Sequence, residues 1–298
     1  MLHAPITAAP SLDNPHVEPL LDDGYVIIPD LLPRETIEAF ASDLAPHFDA
    51  TLPSVGPFYG DGTKRFGGVL TRSPHAAALI QHPLILDTMD KVLGPWCDYY
   101  QLNLTQAIEI MPGSPAQPPH RDQEMWGGEK GLVEYLVNVM WPFTPYTKEN
   151  GATIIWPGTH KDQDLTLFPE GDPVYGEAEP GSAIVFLGSV QHSGGANTTT
   201  MSRRGLIVSY SLGWLKPYEL QTLVYPPEVA RTFSPELAAL VGYRMHRPNL
   251  GNVNGVCPST LLQTGTDRSS ADVATDYLKP EHEMLIHMWR EDLLEVGA

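Results

Sequence analysis

The chain has 298 residues, 42% hydrophobic and 18% charged, with a formal net charge of −18. That length and apolar share can bury a sizeable core in one large domain or two small ones. The charge argues against nucleic acid or an anionic membrane as the main partner, because either would be repelled. Two cysteines, Cys97 and Cys257, are too few for a disulfide framework and fit a reducing, cytoplasmic setting. The N-terminal residues lack a basic stretch followed by an apolar run, so no secretory signal is expected. No run approaches the roughly eighteen apolar residues that a membrane helix needs, so no span is expected either.

Along the chain, residues 1–16 read as a loose tail. Residues 24–29, GYVIIP, read as a short strand ending at a proline. Pro33 then opens a helix, with Ile37, Phe40 and Leu44 recurring on one face. Residues 51–75 carry turn residues and read as loop. IQHPLILDTMDKVLG reads as a further helix. From residue 98 the character changes. DYYQLNLTQAIEIM, LVEYLVNVMWPF, ATIIWPG, SAIVFLGSVQH and RGLIVSYSLGW are β-rich and separated by Gly, Pro and Asn turns. Strands without βα alternation point to an antiparallel barrel or sandwich. Ser234 and Pro235 mark a later helix start, and EHEMLIHMWREDLLEV reads as a last helix. The expectation is one domain over 1–298, mainly β with flanking helices. Most of the core lies in 98–214, and 215–298 forms a helical lid region.

The pattern His-x-Asp occurs at His47/Asp49, His120/Asp122 and His160/Asp162. His47 falls near a helix end, where residues two apart point in different directions and chelate poorly. His160 follows the turn PGT and reads as a loop histidine. If 119–123 is extended, His120 and Asp122 project to the same side and offer one nitrogen and one oxygen to one ion. His192 closes the apolar segment AIVFLGSVQH and precedes a Gly-rich turn, a suitable place for a second imidazole at a barrel mouth. Two His and one carboxylate hold non-haem Fe(II) on one face and leave other positions open. The alternative is three ordinary polar residues at strand ends.

Four blocks in order, DGYVIIPDLLP, AQPPHRDQEMW, ENGATIIWPGTH and PGSAIVFLGSVQHSGGANTTTMSRRGLIVSYSLGWL, resemble the phytanoyl-CoA dioxygenase family from about Asp23 to Trp214. These are Fe(II)/2-oxoglutarate-dependent oxygenases with a double-stranded β-helix (jelly-roll, cupin-like) core. The resemblance implies His120, Asp122 and His192 as the metal ligands and catalytic centre. It implies Fe(II), 2-oxoglutarate and O2 as cofactor and cosubstrates. Arg203 matches the arginine that grips the distal carboxylate of 2-oxoglutarate. Arg204 would replace it after a one-residue shift, and strand alternation lets only one of the two point inward. Thr153 and Gln117 match positions that contact the cosubstrate, and Arg65 and Trp126 are candidate substrate-pocket residues.

A carboxylate at Asp122, where halogenating relatives carry a small residue, favours hydroxylation, desaturation or a related C–H oxidation. Only 18 Lys and Arg stand against 36 acids, which gives little support to an acyl-CoA substrate. A small, apolar natural product is the expected substrate. Loop 51–72, the segment after Trp126 and residues 215–256 are the expected lids, with Phe58, Tyr59 and Tyr218 among their aromatics. The competing readings are a metal-dependent isomerase or lyase on the same barrel, an acyl-CoA hydroxylase, and a non-enzymatic binding barrel. A homodimer through the helical ends is the expected assembly.

Overall fold

The computed structural model describes residues 13–60, 62–128, 132–162, 168–263, 274 and 276–296, with the backbone alone for 292–296. The chain forms two compact units, Met1–Gln221 and Thr222–Ala298.

The first unit holds nine strands: β1 (Tyr25–Ile28), β2 (Thr63–Phe66), β3 (Tyr100–Ile110), β4 (Leu136–Pro142), β5 (Thr153–Ile155), β6 (Val174–Tyr175), β7 (Ala183–Leu187), β8 (His192–Gly194) and β9 (Arg203–Leu212). They make a six-stranded sheet, ordered β1-β7-β4-β9-β3-β2, and a three-stranded sheet, ordered β6-β5-β8. Every named pairing is antiparallel. This is the jelly-roll core. Ile108, Ile110, Met140, Phe186 and Ile207 from the large sheet cluster with Ile155 from the small one. Alternation along each strand sends these side chains to one face.

The other face of the large sheet is covered by helices α1 (Val17–Asp23), α2 (Arg34–Ala50), α3 (Ala76–Ile80) and α4 (Pro83–Val92). From α2, Ile37, Phe40, Leu44 and Phe48 are buried, as their helical spacing requires. Phe40 meets Phe143 edge-on at 5.3 Å, and Tyr210 on β9 donates to the Ile80 carbonyl at 2.6 Å. Both faces of β4 are therefore buried, and all seven of its residues lack solvent contact.

Several expectations need correction. The segment 182–192 is not one strand. β7 ends at Leu187, a turn follows with Val190 N–H donating to the Leu187 carbonyl, and β8 begins at His192 in the other sheet. Gly188 allows that turn, since a Cβ there would lie 2.7 Å from the Leu136 side chain. Residues 119–123 do not form a strand either: His120 makes one isolated bridge, and Asp122 opens a 3-10 turn, Asp122–Met125. The reading of 51–75 as loop missed β2. The helix read across 80–94 breaks at His82–Pro83, because proline lacks an N–H and suits only the first turn of a new helix. Helix α1 was not foreseen. Of the tail, residues 1–12 lie outside the described residues. Asn14 is tied down, donating to Asp87 Oδ2 at 2.9 Å and Thr88 Oγ1 at 3.0 Å.

In the second unit, Pro235–Val241 is a helix capped by Ser234, whose hydroxyl accepts from the Leu237 N–H at 3.2 Å. Pro280–Val296 is the last helix. Among the described residues, no helix is long and apolar enough to cross a membrane.

Candidate metal centre

His120 and His192 are brought together by backbone. His120 N–H donates to the His192 carbonyl and His192 N–H to the His120 carbonyl, both at 2.9 Å. The two rings lie 4.4 Å apart between centroids. Each ring then repeats one local contact: His120 Nδ1 meets the Pro118 carbonyl at 2.9 Å, and His192 Nδ1 meets the Val190 carbonyl at 3.0 Å. A carbonyl only accepts, so each Nδ1 carries the hydrogen and each Nε2 is left with a lone pair.

Those lone pairs face Asp122. His120 Nε2 stands 3.6 Å from Oδ1, and His192 Nε2 stands 3.5 Å from Oδ2. The three residues form a group whose ligand atoms all lie within 4.8 Å of one another. Burial and the neighbouring His192 push the His120 imidazole down to about 4, so it is neutral at pH 7. Burial also acts against charge on His192, but Asp122 outweighs it and the net direction is upward. Burial opposes the Asp122 charge as well, yet the two imidazoles and Asn138 hold this carboxyl well below its usual range. Two nitrogen lone pairs and a carboxylate converging without hydrogens between them repel one another unless a cation sits among them. The donor set therefore fits a divalent metal, and its two nitrogens and one oxygen are the facial set of non-haem iron sites.

The triad lines a cavity of about 130 Å³. Its wall is largely apolar, with Leu104, Ile108, Ile110, Met140, Phe186 and Ile207. Arg203 and Arg65 also line it. Arg203 is 3% exposed, its guanidinium lies 3.8 Å above the Tyr146 ring, and its Nε has no hydrogen-bond partner. No described carboxylate pairs with it. Burial lowers its pKa while Tyr146 acts the other way. A buried cation with no protein anion suits the carboxylate of a ligand. Arg65 sits on β2 opposite Ile108, donates to Gln106 Oε1 at 3.0 Å and leaves its Nε unpaired.

Arg204 is elsewhere. It bonds Glu109 Oε1 at 2.9 Å and lies 3.8 Å from Asp49, so it does not reach the cavity. Thr153 does line it, at the start of β5 opposite Gly194. Gln117 lines it too, but its amide is engaged: Nε2 donates to the Phe58 carbonyl at 2.9 Å, and Oε1 accepts from Gly194 N–H at 3.1 Å. Trp126 is not in the cavity wall. Its indole N–H donates to the Lys216 carbonyl at 2.9 Å, and Met125 lines the cavity instead. Phe58, Tyr59 and Tyr218 are in the wall, and the Tyr59 and Tyr218 hydroxyls bond each other. His47 lies in α2 with its Nδ1 against Arg72, and His160 Nε2 donates to the Leu21 carbonyl, so neither joins the triad.

Two polar residues of the cavity were missed. Asn103 lies at a bulge of β3, between Leu102 and Leu104, and is 1% exposed. Its Oδ1 accepts from Tyr218 N–H at 2.8 Å, which turns Nδ2 away with no protein acceptor. Bulges re-aim side chains in this way. Asn138 lies on β4, and its Nδ2 donates to Asp122 Oδ2 at 2.9 Å. A polar residue inside the apolar run LVNVMWP was the available signal for it.

Among solved structures, the chain resembles HygX from Streptomyces hygroscopicus with nickel and 2-oxoglutarate bound, at a TM-score of 0.56 and 17% identity, over 70% of this chain and 90% of that one. It also resembles the non-heme alpha ketoglutarate dependent epimerase SnoN from nogalamycin biosynthesis, at a TM-score of 0.55 and 17% identity, over 66% and 82%. These likenesses concern the fold. In sequence it is 32% identical over 260 residues to the dioxygenase FrzG of Cladobotryum sp, covering 78% of this chain and 85% of that protein. It is 33% identical over 240 residues to the multifunctional dioxygenase ausE of Aspergillus calidoustus, covering 74% and 80%. The model of the phytanoyl-CoA dioxygenase (PhyH) family matches residues 20–205, which span both imidazoles, Asp122 and both arginines. The chain belongs to the phytanoyl-CoA dioxygenase family.

Proposed function

We propose that this protein is an Fe(II)- and 2-oxoglutarate-dependent dioxygenase that oxidises a C–H bond of a small natural-product-like metabolite. The observation that carries the reading is the meeting, in one cavity, of an acceptor-only His-Asp-His triad and a buried arginine with no protein carboxylate. His120, Asp122 and His192 would hold the metal, and Arg203 would hold the far carboxylate of the cosubstrate, with Thr153 beside it. When bound, iron and 2-oxoglutarate supply the oxidising power, the cosubstrate being decarboxylated to succinate and carbon dioxide at the expense of O2.

The chain's own part is placement. The paired backbones of His120 and His192 fix the separation of the imidazoles, and the Pro118 and Val190 carbonyls fix their tautomers. Tyr146 gives Arg203 a flat aromatic support, and the apolar wall excludes water from the reacting centre.

The same cavity supports the substrate class. Its walls suit an apolar body, and the unpaired Asn103 amide suits a carbonyl or hydroxyl oxygen on that body. A net charge of −18 disfavours the phosphates of coenzyme A and of nucleic acid. The test is anaerobic loading with Fe(II) and 2-oxoglutarate, admission of O2 with a panel of terpenoid, alkaloid and amino-acid-derived metabolites, and readout of succinate and product mass. Full succinate release by His120→Ala or Asp122→Ala would overturn the reading.

A further inference from the structure

Asp122 is set apart from its two partners. His120 and His192 are tied by a backbone bridge, whereas Asp122 stands on a 3-10 turn outside both sheets. That turn is fastened by Gln123 N–H to the Gly188 carbonyl at 3.1 Å, which leaves the Asp122 side chain free to rotate about its own bonds. Its orientation comes from Asn138. Asn138 is fully buried on β4, and its direct cross-strand partner on β9 is Ser209, itself 2% exposed. Asn138 Nδ2 donates to Asp122 Oδ2 at 2.9 Å, and Ser209 Oγ donates to Asn138 Oδ1 at 2.5 Å.

The direction of this relay has one solution. An ionised carboxylate only accepts, so the amide must present its NH2 to Asp122. The amide oxygen then faces Ser209, whose hydroxyl must donate to it. The two strands are hydrogen-bonded neighbours in the sheet, so the relay has a rigid base.

We infer that Asn138, oriented by Ser209, is a positioning residue that engages one carboxylate oxygen of Asp122 and thereby keeps Asp122 a one-oxygen ligand. The consequence concerns the open positions. A metal with three protein ligands keeps up to three positions for exogenous donors. A carboxylate swung onto the metal through both oxygens would take one of them. Asn138 opposes that swing by occupying Oδ2. The inference rests on the metal reading of the triad, and its test separates the two.

The test uses apo full-length protein titrated with Co(II), with the d–d absorption spectrum reporting coordination. Asn138→Leu keeps side-chain volume and removes the donor. It is expected to weaken Co(II) binding about 10- to 100-fold, the range for losing such supporting hydrogen bonds. The Co(II) spectrum should also change shape, while the melting temperature of the apo protein reports the fold. Ser209→Ala, a milder change, is expected to weaken binding several-fold alone and to add nothing in an Asn138→Leu background, because both act on one path.

An apo-folded Asn138→Leu protein with unaltered Co(II) affinity and spectrum overturns the inference. So does a Ser209→Ala effect that adds in full to that of Asn138→Leu. If Asn138→Leu does not fold, Ser209→Ala with unchanged affinity and spectrum overturns it. Wild-type protein that binds no Co(II) overturns the metal reading and this inference with it.

Discussion

Arg203 and Arg204 are adjacent on β9 and serve opposite faces of the sheet: Arg203 is buried in the cavity above Tyr146, and Arg204 pairs with Glu109 on the helical side. Arg203→Gln is expected to raise the KM for 2-oxoglutarate by about 10- to 200-fold, from roughly 1.5–3 kcal/mol for hydrogen bonds to a charged group. The apo melting temperature should change little. Arg204→Gln should do the reverse. It leaves Glu109, whose side chain is 4% exposed, with Lys64 at 3.6 Å as its remaining cation, and is expected to cost about 1–3 kcal/mol of stability. Equal effects of the two variants on the cosubstrate KM would contradict this division.

Metal removal should be visible without substrate. A divalent ion at a hundredfold over its Kd stabilises the folded chain by about 2.7 kcal/mol. Wild-type protein should therefore melt at a lower temperature after chelation and recover on Fe(II) addition under anaerobic conditions. His192→Ala should abolish that shift. A metal-induced shift of wild-type size in His192→Ala would remove this residue from the ligand set.

Gln117 is expected to act through a loop. Its amide holds the Phe58 carbonyl, and the Phe58 ring packs edge-on against His120 at 4.7 Å. Gln117→Ala loses a contact worth about 0.5–1.5 kcal/mol net. Amide hydrogen exchange across residues 54–60 should then accelerate several-fold, with metal affinity unchanged. If exchange in that loop does not move, Gln117 does not hold it.

Glu134 gives a pH signature away from the metal. Burial pushes its carboxyl up to about 7, against the donors from Ser189 N–H at 3.2 Å and Oγ at 2.5 Å. In the unfolded chain a glutamate titrates near about 4.3. Between those values the folded state binds more protons than the unfolded one, so this group's contribution to stability falls as pH rises. Glu134→Gln keeps an acceptor for Ser189 and cannot ionise. Relative to wild type, its melting temperature should rise between about pH 5 and pH 8. A difference between the two proteins that does not vary with pH would disprove the assignment.

Much of the metal centre was legible in the sequence, because its parts are local. His120, Asp122 and His192 sit in short, recognisable surroundings, and strand alternation already required that only one of Arg203 and Arg204 face inward. The choice between the two needed the register that sets Arg203 against Ile110 and Arg204 against Glu109. The argument for His120 and Asp122 reached the right pair through a strand that is not there; a 3-10 turn places Asp122 instead. The break after Leu187 was hidden because the run AIVFLGSV is apolar throughout and Gly188 alone marks the corner. Asn103 and Asn138 were missed because their roles come from a bulge and a cross-strand partner, which composition does not record. Trp126 was misplaced for a related reason: proximity in sequence to Asp122 does not decide which side of a turn a ring occupies.

The reciprocal bridge between His120 and His192 also bears on folding order. The two segments are remote in the chain and meet only when β8 docks beside the residues following the Pro118–Pro119 turn. Contacts between distant segments form late, after the entropy of closing the intervening chain has been overcome. A chain still emerging from the ribosome would thus have no paired imidazoles to offer, and iron capture would report that the two sheets had already closed on each other.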